Sequence, residues 1–226
     1  MVKAFIIMYN RLTIAKKLAE DLTKAGCEVI LIDNNSSYPP LLDWYTECPY
    51  KVHKLNANYR ERAFWDSGLF NSYTDEYYIV TDHDLDISDV PLDFVNVLRQ
   101  GLINNKDIVK CGLSLDLDSL PINTYTQEIR NFEDKYWVDK DDNGNFKAGV
   151  DTTLAMYDRN RQPDEWGNGY NFYRATRLPK PYSAKHVPWY LNEKSLQDDP
   201  EELYYHTHCD NQWSTIFKRE FNIILL

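Results

Sequence analysis

The chain is 226 residues long, 43% hydrophobic and 27% charged, the proportions of an ordinary globular protein rather than a disordered one. Its formal net charge of −10 argues against a nucleic-acid partner, and an anionic ligand would need local help from a metal ion or a few placed arginines. Cys27, Cys48, Cys111 and Cys209 form no Cys-x-x-Cys pair and read as the incidental thiols of a reduced cytoplasmic protein. The first apolar run, Val2–Met8, is too short for a secretory signal and ends in Tyr9-Asn10-Arg11. No stretch approaches the roughly 20 apolar residues of a membrane span, so a soluble protein is expected.

Val2–Met8 reads as a buried strand. Leu12, Ala15, Ala19 and Leu22 recur at helical spacing, and Gly26 is a plausible stop. Residues 28–32 predict a second strand, and Pro39 and Pro40 suit the first turn of a helix carrying Leu41, Leu42, Trp44 and Tyr45. Residues 50–55 predict a third strand, 63–72 a short helix and 77–80 a fourth strand. This alternation implies parallel pairing with right-handed crossovers, a nucleotide-binding type of α/β half over residues 1–100. Beyond it, Pro91 opens a helix with Phe94, Val95, Val97 and Leu98, and residues 107–115 return to the sheet. Asn143-Gly144 marks a tight turn within the polar stretch 138–148. Strands are expected over 152–157 and 183–187, a long loop over 158–181 and a terminal helix over 211–219. No internal repeat and no low-complexity tract interrupts the chain.

The most informative stretch is Tyr77-Tyr78-Ile79-Val80-Thr81-Asp82-His83-Asp84-Leu85-Asp86. A β-prone apolar run stops and carboxylates follow at every second position. Bare charge is too costly to bury inside a strand, so these residues belong where the strand leaves its sheet, gathered around a divalent cation. An EF-hand loop is excluded, because its sixth position would be Ile87 rather than Gly and its twelfth Asp93 rather than Glu. The second acidic run, from Asp139, has Val150 at its twelfth position and reads as a solvated hairpin. An aspartyl phosphatase would carry its Asp-x-Asp after the first strand. Acidic residues that merely cap a loop remain the plain alternative.

No Gly-x-Gly-x-x-Gly follows the first strand and no P-loop motif occurs, so dinucleotide and P-loop chemistries are not expected. A diphosphate would instead be neutralised by a metal on Asp84 and held by a forked contact from Arg62.

Several motifs in their order resemble a small family-2-like GT-A-fold glycosyltransferase with a DxD motif. They are Tyr9-Asn10-Arg11, Asp33-Asn34-Asn35-Ser36, the segment 58–65, Thr81-Asp82-His83-Asp84, Asp151-Thr152-Thr153-Leu154-Ala155-Met156-Tyr157 and His186-Val187-Pro188-Trp189-Tyr190. The resemblance implies one GT-A domain over 1–226, a Rossmann-like mixed sheet flanked by helices. Residues 1–100 would bind the nucleotide-sugar and 101–226 the acceptor. It places the nucleoside at Asp33 and Asn35, with Tyr9, Asn10 and Arg11 nearby. It extends substrate binding to Asn58, Arg62, Trp65, Asp82 and Trp189. It puts Mn2+ or Mg2+ on Asp84, with Asp82 as a ligand, a ribose contact or a group behind the metal's own ligands, and His186 as a further ligand. The segment 58–62 departs from the family pattern by lacking a small residue after Asn58, which leaves Arg60 and Arg62 as rivals for the diphosphate.

An inverting transfer needs a carboxylate to take the acceptor proton, and Asp151, at a predicted strand start, is the candidate base. A turn-capping Asp is the plain alternative, and Glu133, Asp134 and Asp164 are in reserve. Trp137, Trp166 and Trp189 could stack on sugars or fill the core. His206 and His208 could replace His186 on the metal, but surface positions are the default for both. Asp86 is expected to cap its loop. The expected reaction is transfer of a sugar from a nucleoside-diphosphate sugar, with UDP the default, to the hydroxyl of a glycan or glycoconjugate. A sugar-1-phosphate nucleotidyltransferase is the first rival, although it would want glycines after the first strand; a non-catalytic carbohydrate-binding module is the second. The Asn-, Lys-, Ile- and Tyr-rich composition is compatible with a bacterial or viral genome. Nothing in the sequence sets the oligomeric state, the sugar or the acceptor.

Overall fold

The structure is a computed structural model and describes residues 1–150, 153–161, 174–192, 194, 198–209, 215, 218 and 219. Val2–Met8 forms β1, and its alternating side chains serve two cores at once. Ala4, Ile6 and Met8 enter one, Phe5 and Ile7 the other. Helix α1, Thr13–Lys24, buries Ala15, Leu18, Ala19 and Leu22 against the first core. It ends where Gly26 adopts a φ of +83°, a left-handed conformation that costs glycine least. The chain returns as β2, Cys27–Asp33, continues through α2, Pro39–Trp44, and adds β3, Lys51–Lys54. After α3, Ala63–Asp66, and a 3-10 turn at Leu69–Ser72 comes β4, Tyr77–Asp82.

β3, β2, β1 and β4 lie side by side and parallel, as the strand–helix alternation predicts. Their register brings Met8 opposite Asp33, Ile7 opposite Asp82 and Asp33 opposite Lys54. The loops after β1, β2 and β3 therefore meet the 82–84 segment along one carboxyl edge.

Three more strands, β6 (Lys110–Gly112), β8 (Ala155–Asp158) and β9 (Ala175–Arg177), complete a mixed seven-stranded sheet in the order β3-β2-β1-β4-β8-β6-β9. Helix α4, Phe94–Asn104, leads to β6, Lys110–Gly112, and β7, Ser114–Leu115. Residues 107–115, expected as one strand, are thus divided between two sheets. Gly112 sits at the division, where a Cβ would lie 2.8 Å from Val150 Cγ1 and 3.2 Å from Ala155 Cβ. Helix α5, Thr124–Glu133, starts from a reciprocal Asn123–Thr126 capping box. The turn at Gly144, φ +82°, closes the expected hairpin through an antiparallel bridge between Lys140 and Phe146. β8, Ala155–Asp158, runs antiparallel to both β4 and β6, and β9, Ala175–Arg177, pairs parallel with β6.

A smaller sheet of β5, Leu85–Asp86, β10, Ser183–His186, and β7 folds over this edge. Its register pairs His186 with Leu85, and Val187 N donates to Asp84 O at 3.0 Å. Two segments a hundred residues apart are thereby locked together beside the acidic motif. The last described helix, α6, Pro200–His208, starts at Asp199, whose side chain accepts from the backbone N–H groups of Glu201 and Glu202. Among the described residues no helix is long and apolar enough to cross a membrane. The expected helix at 211–219 lies largely outside the described residues.

Trp65, expected to face the substrate, is instead a core residue. On the second face of the sheet Ala63, Phe64 and Trp65 of α3 pack into the core together with Val150, Leu69, Phe70 and Tyr73. Trp65 is 7% exposed, packs 5.2 Å from the Tyr157 ring and donates through Nε1 to Tyr78 Oη at 3.4 Å.

Candidate functional site

A cavity of about 940 Å³ opens at the carboxyl edge, bounded by the loops after β1 to β4, by α6 and by residues of both sheets. Ligands of open α/β sheets bind at this edge. Asparagines staple the loops that frame it. Asn10, fully buried with a φ of 49°, accepts through Oδ1 from the backbone N–H groups of Ser37, at 2.7 Å, and Tyr38, at 3.0 Å. Asn34 bridges onward, accepting from Tyr59 N at 2.7 Å and donating to Arg60 O at 2.9 Å. Asn35 and Arg60 also take positive φ, 64° and 56°, which asparagine tolerates far better than arginine. Asp33 lies beneath this frame, with Oδ1 accepting from Ser36 N and Tyr45 Oη at 3.2 Å each.

Asp84 is the centre of the charged part of the wall. It is 7% exposed, and Oδ2 accepts from Arg11 Nη1 at 3.1 Å. Oδ1 accepts no hydrogen bond among the described residues and lies 3.6 Å from His186 Nε2. Burial opposes the charged form of Asp84, yet His186, His83 and Arg11 together hold its carboxyl below the ordinary value. Arg11, 1% exposed, also donates from Nη2 to Glu202 Oε2 at 2.7 Å and lies 3.5 Å above the Tyr205 ring.

His83 turns its Nδ1 to Ile7 O at 2.9 Å, so this nitrogen carries the proton, because a carbonyl can only accept. Nε2 is then a lone pair, buried and with no hydrogen-bond partner among the described residues, in a side chain that lines the cavity.

Among the described residues no three His, Cys, Asp or Glu side chains are gathered tightly enough to enclose a metal ion by themselves. The arrangement offers a pair instead. Two ligand atoms each about 2.1 Å from one divalent ion lie roughly 3 to 4 Å apart, which matches Asp84 Oδ1 and His186 Nε2. A hard cation held this way completes its shell with water or phosphate oxygens, as Mg2+ commonly does. Asp82, also in the wall, is within the same loop.

Of the other expected substrate residues, Tyr9, Asn58 and Trp189 line the cavity. Asn10, Asp33, Asn35, Arg62 and Trp65 are not among its described lining. Arg62 is turned onto Asp66 one helical turn on, at 3.0 Å, and Arg60 takes its place in the wall. Asp86 accepts from Ser88 N and from Lys17 Nζ, away from Asp84. Asp151, Asp164 and Trp166 lie outside the described residues. Trp137 belongs to a second, smaller cavity of about 410 Å³ with Asp118, Arg130 and Lys180.

His206 corrects an expectation. It is 3% exposed rather than superficial: on α6 it sits edge-on to the neighbouring Tyr205 ring, on the face that meets Arg11. His208 is exposed, and its backbone carbonyl accepts from Tyr9 Oη at 3.0 Å.

On the opposite wall, Arg177 donates to Glu133 Oε2 at 2.7 Å and to Gly149 O at 2.9 Å. Its guanidinium sits 4.3 Å over the Tyr136 ring. His83, Glu202 and Arg177 are thus candidate site residues that pattern reading does not find, while Arg60 is one of the two arginines it leaves as rivals. For His83 the signal was its place between two aspartates. Asp199-Pro200-Glu201-Glu202 is a helix-start signature, but nothing local says that Glu202 meets Arg11, 191 residues away.

The buried histidines set a pH dependence. Burial pushes His83 down to about 4 and His206 to about 3, against an ordinary value of 6.5. The unfolded chain therefore takes up protons near pH 6.5 that the folded chain refuses, and stability falls as pH drops from there toward 4. Glu202, raised by burial, works in the opposite sense, adding stability as pH falls. The expected thermal midpoint is level from pH 8 to 7 and declines below 6.5, with His206 contributing on the order of 2 to 3 kcal/mol by pH 4. His206→Gln should shed part of that slope; an unchanged slope would mean the imidazole is solvated.

A scan against models of known protein families finds no match, and a search of curated proteins finds none. Solved structures do resemble the chain. GalNAc-T7, solved with UDP, GalNAc and Mn2+, is 14% identical with a TM-score of 0.51 over 98% of this chain and 54% of its own. Glucosyl-3-phosphoglycerate synthase from Mycobacterium tuberculosis, solved with phosphoglyceric acid, is 11% identical with a TM-score of 0.45, over 70% of this chain and 57% of its own. CMP:2-keto-3-deoxy-manno-octonic acid synthetase, solved with CTP, is 8% identical with a TM-score of 0.47, over 92% of this chain and all of its own. The chain spans little more than half the length of the first two. At such identities the likeness is one of fold: the seven-stranded mixed sheet flanked by helices is the GT-A fold expected from the sequence.

Proposed function

We propose that the chain is a metal-dependent glycosyltransferase that moves a sugar from a nucleoside-diphosphate sugar, with UDP as the nucleotide, to the hydroxyl of a glycan or glycoconjugate. The observation that carries this reading is the meeting of Asp84 Oδ1 and His186 Nε2 in the wall of a large cavity at the carboxyl edge of the sheet. In this reading residues 1–100 serve the donor and 101–226 the acceptor within one domain, which acts in the cytoplasm.

Asp84 and His186, with Asp82 beside them, would hold Mn2+ or Mg2+. Bound there, the cation would offset the charge that develops on the departing diphosphate. Arg60 faces the same space and would take the forked phosphate contact first sought at Arg62. Tyr9, Asn34 and Asn58 line the nucleoside side, while Asn10, Asp33 and Asn35 act beneath it by holding the loops in register. Trp189, 4.7 Å from the His186 ring, would present an apolar wall to the sugar.

Asp151 is proposed as the base that takes the acceptor proton, with inversion at the anomeric carbon. Gly149 and Thr153, which bracket it in the chain, both line the cavity. Glu133 is the less suited carboxylate, because Arg177 already claims its Oε2.

Product analysis tests the reaction class. Incubation with UDP-sugars and Mn2+ should release free UDP by transfer or slow hydrolysis, and Asp84→Ala should stop it. Pyrophosphate release from a nucleoside triphosphate and a sugar 1-phosphate would instead identify a nucleotidyltransferase. No turnover of either kind would leave a carbohydrate-binding module.

A further inference from the structure

Arg11 is shared between two buried carboxylates on elements far apart in the chain. Its contact with Glu202 on α6, 2.7 Å, is shorter than its contact with Asp84, 3.1 Å. All three side chains are at least nine-tenths buried, so water screens their interaction little. A guanidinium committed to Asp84 alone would cancel the charge that a divalent cation needs there. With Glu202 on its other nitrogen the trio keeps a net charge of about −1, and Oδ1 of Asp84 remains turned to His186 with no hydrogen bond among the described residues.

We infer that Glu202 is a positioning residue for cation binding: by drawing the Arg11 guanidinium toward α6, it leaves Asp84 anionic and its Oδ1 directed at the cation. The inference rests on the reading of Asp84 as a cation ligand. It gives the C-terminal helix a part in the metal site without contact with the ion.

The neighbouring Glu201 supplies an internal comparison. It lies on the same first turn of α6 but accepts from Thr13 N at 2.9 Å and Thr13 Oγ1 at 3.2 Å, tying α6 to the start of α1 rather than to Arg11. A helix that mattered only as packing would respond alike to the loss of either carboxylate.

The test is the affinity of the full chain for Mn2+ alone, read by the electron paramagnetic resonance signal of free ion, beside the thermal midpoint. Glu202→Gln should raise the Mn2+ Kd about tenfold, the scale of one unit charge removed at close range in a poorly screened site. Glu201→Gln should lower the midpoint and leave the Kd unchanged. Glu202→Asp, which keeps the charge but withdraws it by one methylene, should fall between, roughly two- to threefold weaker than wild type, and carries the test if the Gln variant does not fold. Equal Mn2+ affinities for wild type and both Glu202 variants would overturn the inference alone. So would a loss of affinity in Glu201→Gln matching that in Glu202→Gln. Failure of the wild-type chain to take up Mn2+ would remove the cation reading and this inference together.

Discussion

Replacing Asp84 by alanine is expected to abolish metal-dependent nucleotide binding while leaving the chain folded. The carboxylate is the only acidic partner that the described ion pairs give to His186, and it is the better placed of the two candidate cation ligands in the 82–84 loop. Its loss removes the anchor for the ion and leaves the diphosphate facing a wall whose counter-charge is arginine alone. A loss of at least about a hundredfold in nucleotide affinity in the presence of Mn2+ corresponds to roughly 2.7 kcal/mol or more. The fold should tolerate the change, because Arg11 keeps Glu202 at 2.7 Å and the Tyr205 ring at 3.5 Å, so no buried cation is stranded. Calorimetric titration with and without Mn2+ checks this. An Asp84→Ala chain that still binds nucleotide more tightly with Mn2+ would move the metal site elsewhere.

Arg11→Met should have the largest effect on stability of any change at the site. Methionine fills much of the volume, but Asp84 and Glu202 are left buried, anionic and facing the same space without a cation between them. Breaking a buried pair from one side costs about 3 to 5 kcal/mol. For a chain of this size that corresponds to a fall in thermal midpoint of roughly 6 to 20 °C. The sign of its pH dependence is fixed by the same geometry. Without Arg11 both carboxyls lose a neighbouring cation and hold their protons more tightly than in the wild-type chain, so acidification from pH 7.5 toward 5 should recover part of the loss as Glu202, already raised by burial, takes up a proton. Denaturant unfolding at the two pH values measures both effects. A loss below about 1 kcal/mol, or none recovered on acidification, would show that water reaches these groups.

The first half of the chain was largely legible because its signals are local. Alternating aliphatic runs, a glycine after α1 and paired prolines before α2 place four parallel strands, and the parallel order brings their carboxyl ends together whatever the details. The Asp82–Asp84 motif could be located at a strand end from the cost of burying charge. His186 is different: its place beside Asp84 depends on β10 crossing over to pair with β5, a contact of high sequence separation that periodicity cannot show. Only the resemblance suggested it.

The misreadings have physical causes too. Trp65 was placed with the substrate by the resemblance of the 58–65 segment, whereas its ring fills the core beside Tyr78 and Tyr157. His206 looked superficial because its own segment is polar; the residue that meets this face of α6, Arg11 stacked on the Tyr205 ring, lies across the fold. Arg62 and Arg60 could not be separated by composition, since the choice rests on the positive φ of Arg60 and on Asp66 capturing Arg62. The strand 107–115 is divided because Gly112 pairs with Ala155 of β8 while Ser114 pairs with Ser183 of β10, distant partners that no neighbour in sequence announces.

In the proposed reaction a nucleoside-diphosphate sugar and a divalent cation occupy this cavity together. A thermal-shift panel of UDP-, GDP-, dTDP- and CDP-sugars, each with and without Mn2+, tests it most directly. At a hundred times its Kd, a ligand adds about 2.7 kcal/mol to stability, or roughly 5 to 10 °C for a chain of this length. Such a rise is expected for one nucleotide, UDP, only when Mn2+ is present, and none in Asp84→Ala. Equal shifts with and without Mn2+, or no shift for any nucleotide sugar, would contradict it.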